Sequence, residues 1–306
     1  MIAGLEANDA SFLADLSNLE NRISRVNKQI TSGARINEAS DDPSAIAPII
    51  SYQSQMDHIN QVQTNLSLAQ TESQTADGAL QTASSLMDQL VSLATQGASS
   101  TTDASDRAIL GQKVQQIEEQ LVSIANTNIN GRYIFGGDDS STAPYTFDWS
   151  SPNGVVQNSS PANTATIRDT DGNTIVPRLS AQQIFDLRDP SGAPTSGNIF
   201  QAAFALGTAL ISNNQTGIQS AIDQVKAGAT QLSQSTTTYG NIESWIQQAS
   251  QSATTHMNTL TQAFSTVHDT DIPTAATQLT LDQTALQAAI AAHASLNTKS
   301  LFSYLG

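Results

Sequence analysis

The sequence predicts a mainly α protein, a long antiparallel, coiled-coil-like helical bundle formed by N- and C-terminal arms, with a small β-rich domain inserted between them. Three observations carry this reading. Residues 49–143 and 195–272 contain no proline, while six of the nine prolines crowd into 144–194. Proline removes a helix N–H and its ring clashes with the preceding turn, so the free stretches can hold long helices and the middle cannot. Apolar residues in the free stretches recur at alternating steps of three and four, the spacing of a heptad seam. Finally, only 38% of the 306 residues are hydrophobic and 5% aromatic. Gln, Ser, Thr, Asn and Ala stand where large core formers would be, which suits slender helices with narrow apolar stripes.

Each element follows in chain order. Leu5, Phe12, Leu16, Leu19, Ile23, Val26 and Ile30 mark an amphipathic helix that Gly33 stops. Asp41 or Asp42 can cap the next helix, where Pro43 sits in the first turn and its missing N–H costs nothing. From Ile59 the seam runs through Val62, Leu66, Ala69, Ser73, Ala76, Leu80, Ala83, Met87, Leu90 and Ala94. One helix over 44–97 would be about 80 Å long at ~1.5 Å per residue, with Gly97 as its stop. A shorter helix, capped by Asp103 or Ser105, carries Leu110, Val114, Ile117, Leu121 and Ile124, and Asn130-Gly131 closes it.

Residues 131–196 read as strands and turns, with RYIFGG a strand and ATIRDTDGNTIVPRL a hairpin turning at Asp171-Gly172. A second long seam extends from Ile218 to Val267, and Gly228 and Gly240 weaken its helix by about 1 kcal/mol each relative to alanine. Leu279, Leu286, Ile290, Leu301 and Leu305 mark a last helix entered after Pro273. The domain division expected from this is 1–43 with 269–306 as terminal assembly segments, 44–130 with 197–268 as a long-helix rod, and 131–196 as a β-rich variable insertion. Two slender terminal helices cannot cover both their stripes against each other. Leu16, Leu19, Ile23, Val26 and Ile30, with Leu279, Leu286, Ile290, Leu301 and Leu305, are therefore the expected subunit interface.

Composition narrows the function. A net charge of −15, from 27 acidic and 12 basic residues with no basic cluster, disfavours nucleic acid as a partner. The chain has no cysteine, which removes disulfides, thiol nucleophiles and Cys-ligated zinc. The N-terminus lacks a basic segment followed by an unbroken apolar run, so no cleaved secretory signal is expected. The most apolar window, IFQAAFALGTALI at 199–211, is too short for a membrane span, so no membrane insertion is expected.

No residue pattern nominates chemistry. The four histidines are scattered, and neither a zinc-protease helix, a nucleophile elbow nor a phosphate loop is present. DTDGN at 169–173 starts like a calcium loop but lacks the third acidic ligand, the sixth-position glycine and the distant glutamate. The sequence therefore predicts no enzyme, no catalytic residue, no cofactor and no metal.

The segment ITSGARINEASDDPSAIAPI at 30–49 resembles the N-terminal signature of the bacterial flagellin superfamily. It matches at Ser32, Gly33, Arg35, Ile36, Asn37, Ala39, Asp41, Asp42 and Ala47, with Ile30 for Leu and Ser44 for Ala after Pro43. Two further stretches are similar to the superfamily's hook–filament junction branch, hook-associated protein three. They are NTNINGRYIFGGDDSSTAPYTFD at 126–148 and SLFSYLG at 300–306, while Pro273 departs from that branch's pattern.

The resemblance implies a helical rod whose terminal segments form the inner part of an assembly. It implies export without a cleaved signal through the flagellar type III apparatus to an extracellular flagellum. It also implies a structural adaptor role: a ring of its own copies, another hook-associated protein on the hook side, flagellin on the filament side, and an export chaperone. The alternative it leaves open is a flagellin that forms the filament itself.

Overall fold

The structure, a computed structural model, describes residues 2–159 and 162–302, with side chains described for 9–159 and 162–295. The elements are α1 (Ile2–Ser32), α2 (Pro43–Ala98), α3 (Ala104–Ala125), β1 (Asn128–Ile129), β2 (Arg132–Tyr133), β3 (Tyr145–Phe147), β4 (Val155–Gln157), β5 (Ile167–Arg168), β6 (Thr174–Ile175), α4 (Ala181–Ile184), α5 (Ile199–Ile211), α6 (Gln215–His268) and α7 (Ile272–Phe302). The fold is thus mainly helical, with three small antiparallel strand pairs, β1–β2, β3–β4 and β5–β6. The chain forms two compact units, residues 1–58 with 256–306, and residues 59–255.

In unit 59–255 the first seam is buried at every position from Ile59 to Ala94, Ser73 included. The facing seam of α6 buries Ile218, Val225, Leu232, Tyr239, Ile242, Ile246, Ala249 and Ala253. The two helices run antiparallel: Gln63 Nε2 donates to Thr254 Oγ1 at 3.4 Å, and the Met87 methyl reaches Gly228. Fully burying a Leu such as Leu80 or Leu90 stabilises by roughly 1.5–3 kcal/mol, so a narrow stripe suffices when it is this complete. Gly97 does not stop α2. It lies inside the helix, where Leu210 packs on it so closely that a Cβ would not fit. At the next helix, Asp103 is the N-cap and accepts from Asp106 N–H at 2.8 Å.

Asn130-Gly131 does not end α3 either, because that helix stops at Ala125 with Asn126 as its C-cap. Asn130 and Gly131 have φ of 51° and 83° and form the two-residue turn between β1 and β2. RYIFGG contributes only Arg132 and Tyr133 to a strand, since Ile134 and Phe135 turn inward. Phe135, Tyr145, Val155, Ile184 and Phe185 join the same core as the helices.

The apolar window 199–211 is α5, separated from α6 by Asn213 with φ 52°. It packs on α3 where two glycines meet. A Cβ on Gly111 would come 3.1 Å from Gly207 O, and one on Gly207 would come 2.6 Å from the Trp149 ring. Arg107 clasps this end by donating to Gly97 O at 2.8 Å, Ser99 O at 2.9 Å and Asn213 Oδ1 at 2.7 Å.

In the other unit, α1 and α7 pair antiparallel: the Phe12 and His293 rings stack at 4.0 Å and Arg22 pairs with Asp282. The boundaries at 58/59 and 255/256 fall inside α2 and α6. The reason is a second cluster, in which Ile36, Ala45 and Ile49 pack with Ile46, Phe264 and Val267 and hold the start of α2 and the end of α6 in this unit.

Candidate assembly surface

Two features of unit 1–58 with 256–306 carry the predicted residues. The first is the signature connection between α1 and α2. Gly33 has φ 73°, a left-handed backbone that favours glycine, and its N–H closes α1 on Gln29 O at 2.9 Å. The chain then pairs with the end of α6: Arg35 N–H donates to His268 O at 2.7 Å and Thr270 N–H to Gly33 O at 2.8 Å. The Arg35 guanidinium donates to Val267 O at 2.8 and 3.2 Å and to Asp42 Oδ2 at 3.2 Å. Asn37 Nδ2 donates to Ala34 O at 2.9 Å.

The adjacent carboxylates divide the work. Asp42 precedes Pro43 and accepts from the Ser44 hydroxyl at 2.6 Å. Its carbonyl accepts Ala45 N–H at 3.1 Å and the same amide also bonds its carboxylate, which places Asp42 at the capping position. Asp41 faces backward, with Oδ2 accepting the N–H groups of Asn37 at 3.1 Å and Glu38 at 3.0 Å and Oδ1 lying 3.7 Å from Arg25 Nε.

These bonds favour the charged form. The Asn37 and Glu38 amides hold Asp41 below the ordinary carboxylate range, the Ser44 hydroxyl does the same for Asp42, and the Ser265 hydroxyl for Asp269. A folded pKa below the unfolded one means that the contribution to stability is present above the unfolded value and lost as pH falls through the folded one. The expected result is that the Asn37 and Glu38 amide resonances shift together on acidification. Their common midpoint lies below the ordinary carboxylate value, and Asp41→Asn abolishes the shift. Independent midpoints would contradict the shared acceptor.

The second feature is the α1–α7 pair. Val26 is buried, while Leu16, Leu19, Ile23, Ile30, Leu279 and Leu286 are half-buried. Ile290 is 51% exposed, and the sequence reading missed Leu13 and Leu281, at 61% and 60%. Both lie off the three-four step, and their only signal is their position beside Phe12 and two residues after Leu279. An open groove of about 430 Å³ is lined by Ile23, Leu286, Glu20, Asn27, Lys28 and Thr31 among others. The Leu5 and Leu301 side chains, and Leu305, lie outside the described residues.

Among the described residues no three His, Cys, Asp or Glu side chains come together as a metal cage, and no helix is long and apolar enough to cross a membrane. In DTDGN the Asp169 carboxylate accepts from Asp171 N–H at 2.9 Å, Asn173 N–H at 2.8 Å and Asn173 Nδ2 at 2.9 Å, the bonding of a turn.

Residues 7–140 match the bacterial flagellin N-terminal helical region, and residues 211–305 the bacterial flagellin C-terminal helical region, together most of the chain. A flagellin of Clostridium tyrobutyricum is 32% identical over 123 residues, 40% of this chain and 32% of its own length. The chain thus spans about a third of the length of that relative. Among solved structures, a protein of Vibrio parahaemolyticus described as a flagellar hook-associated protein superposes with a TM-score of 0.64 at 17% identity, over 74% of this chain and 99% of that one. Flagellar hook associated protein-3 of Legionella pneumophila superposes with a TM-score of 0.62 at 14% identity, over 72% and 98%.

Proposed function

The chain belongs to the bacterial flagellin family, and from that premise we propose that it is a structural, non-enzymatic component of the flagellum, the adaptor between hook and filament. The observation that carries the adaptor role is the likeness in fold to two hook-associated proteins over nearly their whole length. In this reading the chain forms a ring of copies that contacts another hook-associated protein on one side and flagellin on the other. It reaches the extracellular flagellum through the type III apparatus, escorted by an export chaperone.

The mechanism is helix-in-groove packing. The half-covered stripe of Leu16, Leu19, Ile23 and Ile30, with Leu279, Leu286 and Ile290, is dried by neighbouring copies through head-to-tail contacts. Leu301 and Leu305 extend the same stripe by sequence. Deleting the last ten or so residues is expected to leave a folded monomer that does not enter flagella, and normal incorporation of the truncated chain would contradict this.

A second reading, a flagellin that builds the filament, is favoured by the name of the relative from Clostridium tyrobutyricum. The two separate in one strain. Deleting the adaptor releases flagellin into the medium from hooks that are still present, whereas deleting the filament protein leaves none to release. Long filaments formed by the purified chain alone would favour the second reading.

A further inference from the structure

Glu118 is a buried ionisable side chain of α3 that lies away from the assembly surface. It is fully buried in unit 59–255, and among the described residues neither carboxyl oxygen has a hydrogen-bond partner. Over it lies the loop 148–154 that joins β3 to β4. Gly154, at φ 74°, sits against Glu118 Oε1 with no room for a Cβ. Asn153 beside it is buried too, and its Nδ2 is unpartnered. The rest of the loop is well anchored. The Trp149 ring meets Phe204 at 4.9 Å and covers Gly207, while Asp148 accepts from Ser150 N–H at 3.0 Å and the Ser151 hydroxyl at 2.9 Å.

The charged neighbours do not compensate Glu118. On α3, Lys113 and Glu119 are exposed and Arg107 is committed to its clasp. The hairpin and its loop carry only Asp148, and α5 carries no charge. On α2, Asp88 is exposed, Asp77 accepts from Gln81 at 2.7 Å, and Glu72 faces Arg178 at 3.4 Å. No cation lies within ion-pair distance of Glu118 among the described residues. A carboxylate buried without partners is costly, whereas an uncharged carboxyl is tolerated.

We propose that Glu118 is a proton-operated latch for the 148–154 loop. The loop closes on α3 while the carboxyl holds its proton, and it lifts into water when the proton leaves. Burial pushes the Glu118 carboxyl up to about 9. A group whose closed-state pKa is raised in this way loses its closed state as pH rises, because the opened carboxyl ionises in water while the closed one does not.

Trp149 reports the loop directly once Trp245, the other tryptophan, is replaced by phenylalanine. Residues 59–255 contain no histidine or cysteine, so other side chains of this unit do not ordinarily titrate between pH 6 and 9. The expected result is one transition in Trp149 emission, with a midpoint between the ordinary carboxyl value and about 9, while far-UV circular dichroism stays constant. Glu118→Gln, uncharged at every pH, stays closed and gives a flat curve. A flat curve without that substitution, or the same transition with it, overturns the proposal. Hydrogen exchange of 145–157 in the unaltered chain gives a reading without any variant. After correction for the base-catalysed rate, protection falls at least tenfold across the transition, and unchanged protection overturns the latch.

Discussion

Asp186→Ala is expected to destabilise unit 59–255 by about 3–5 kcal/mol, the cost of breaking a buried charge network by removing one member. The carboxylate is wholly buried and saturated: the Tyr145 hydroxyl donates to Oδ2 at 3.0 Å, Arg188 Nε to Oδ2 at 2.9 Å, and Asn198 Nδ2 to Oδ1 at 2.7 Å. Asn198 is also the N-cap of α5, so the loss reaches the helix that seats on α3. Three groups lose an acceptor at once, and two of them, Tyr145 and Asn198, are buried. Arg188 keeps partial access to water, which moderates its share. Burial and the Asp186 charge push the Tyr145 hydroxyl far up, so it stays a donor throughout the accessible range. Calorimetry should show a fall in melting temperature of roughly 6–20 °C for a unit of this size. Tyr145→Phe, which removes one donor and leaves the carboxylate two partners, should cost only about 1 kcal/mol. Equal effects from the two substitutions would contradict the hub.

The second large effect concerns assembly. Leu281→Asp with Ile290→Asp is expected to cost the monomer no more than about 1 kcal/mol, because Leu281 is 60% and Ile290 51% exposed and each such surface substitution costs up to about 0.5 kcal/mol. Incorporation into flagella is expected to fall at least tenfold. If a neighbouring copy covers these residues, each substitution both removes buried apolar area, at about 25 cal/mol per Å², and forces a carboxylate out of water. Only about 1.4 kcal/mol per interface is needed for a tenfold loss. Normal incorporation of the double variant would show that this face is not covered and would direct attention to the opposite side of the helix pair.

The helical part of the fold was legible because each seam repeats without interruption: from Ile59 to Ala94 every three-four step lands on a buried residue, even at Ser73. What escaped was local. Gly97 reads as a stop, yet tertiary packing under Leu210 selected its lack of a side chain. Asn130-Gly131 carries the same letters as a helix end and as a hairpin turn, and only the pairing of Asn128 with Tyr133 distinguishes them. The window 199–211 is the most apolar in the chain because it lies under a loop and between helices, a three-dimensional fact without a periodic signature. The sequence lets either Asp41 or Asp42 cap the next helix, and which of them does so depends on the path of Asn37 and Glu38. Glu118 left no trace in the pattern, since it stands beside Glu119 like any solvated pair and only the return of residues 148–154 over it shuts out water.

Alanine and serine interrupt the α2–α6 seam at Ala69, Ser73, Ala76, Ala83, Ala94, Ala249 and Ala253, and such small steps leave room for a slip of one helical turn, about 5.4 Å. Met87 removes that freedom. Its methyl lies where a Gly228 Cβ would be only 3.0 Å away, and a slip would bring Val225 or Leu232 into that space. A pull that drags one helix past the other is thus opposed by this peg in its notch, which helps the pair bear shear without creeping.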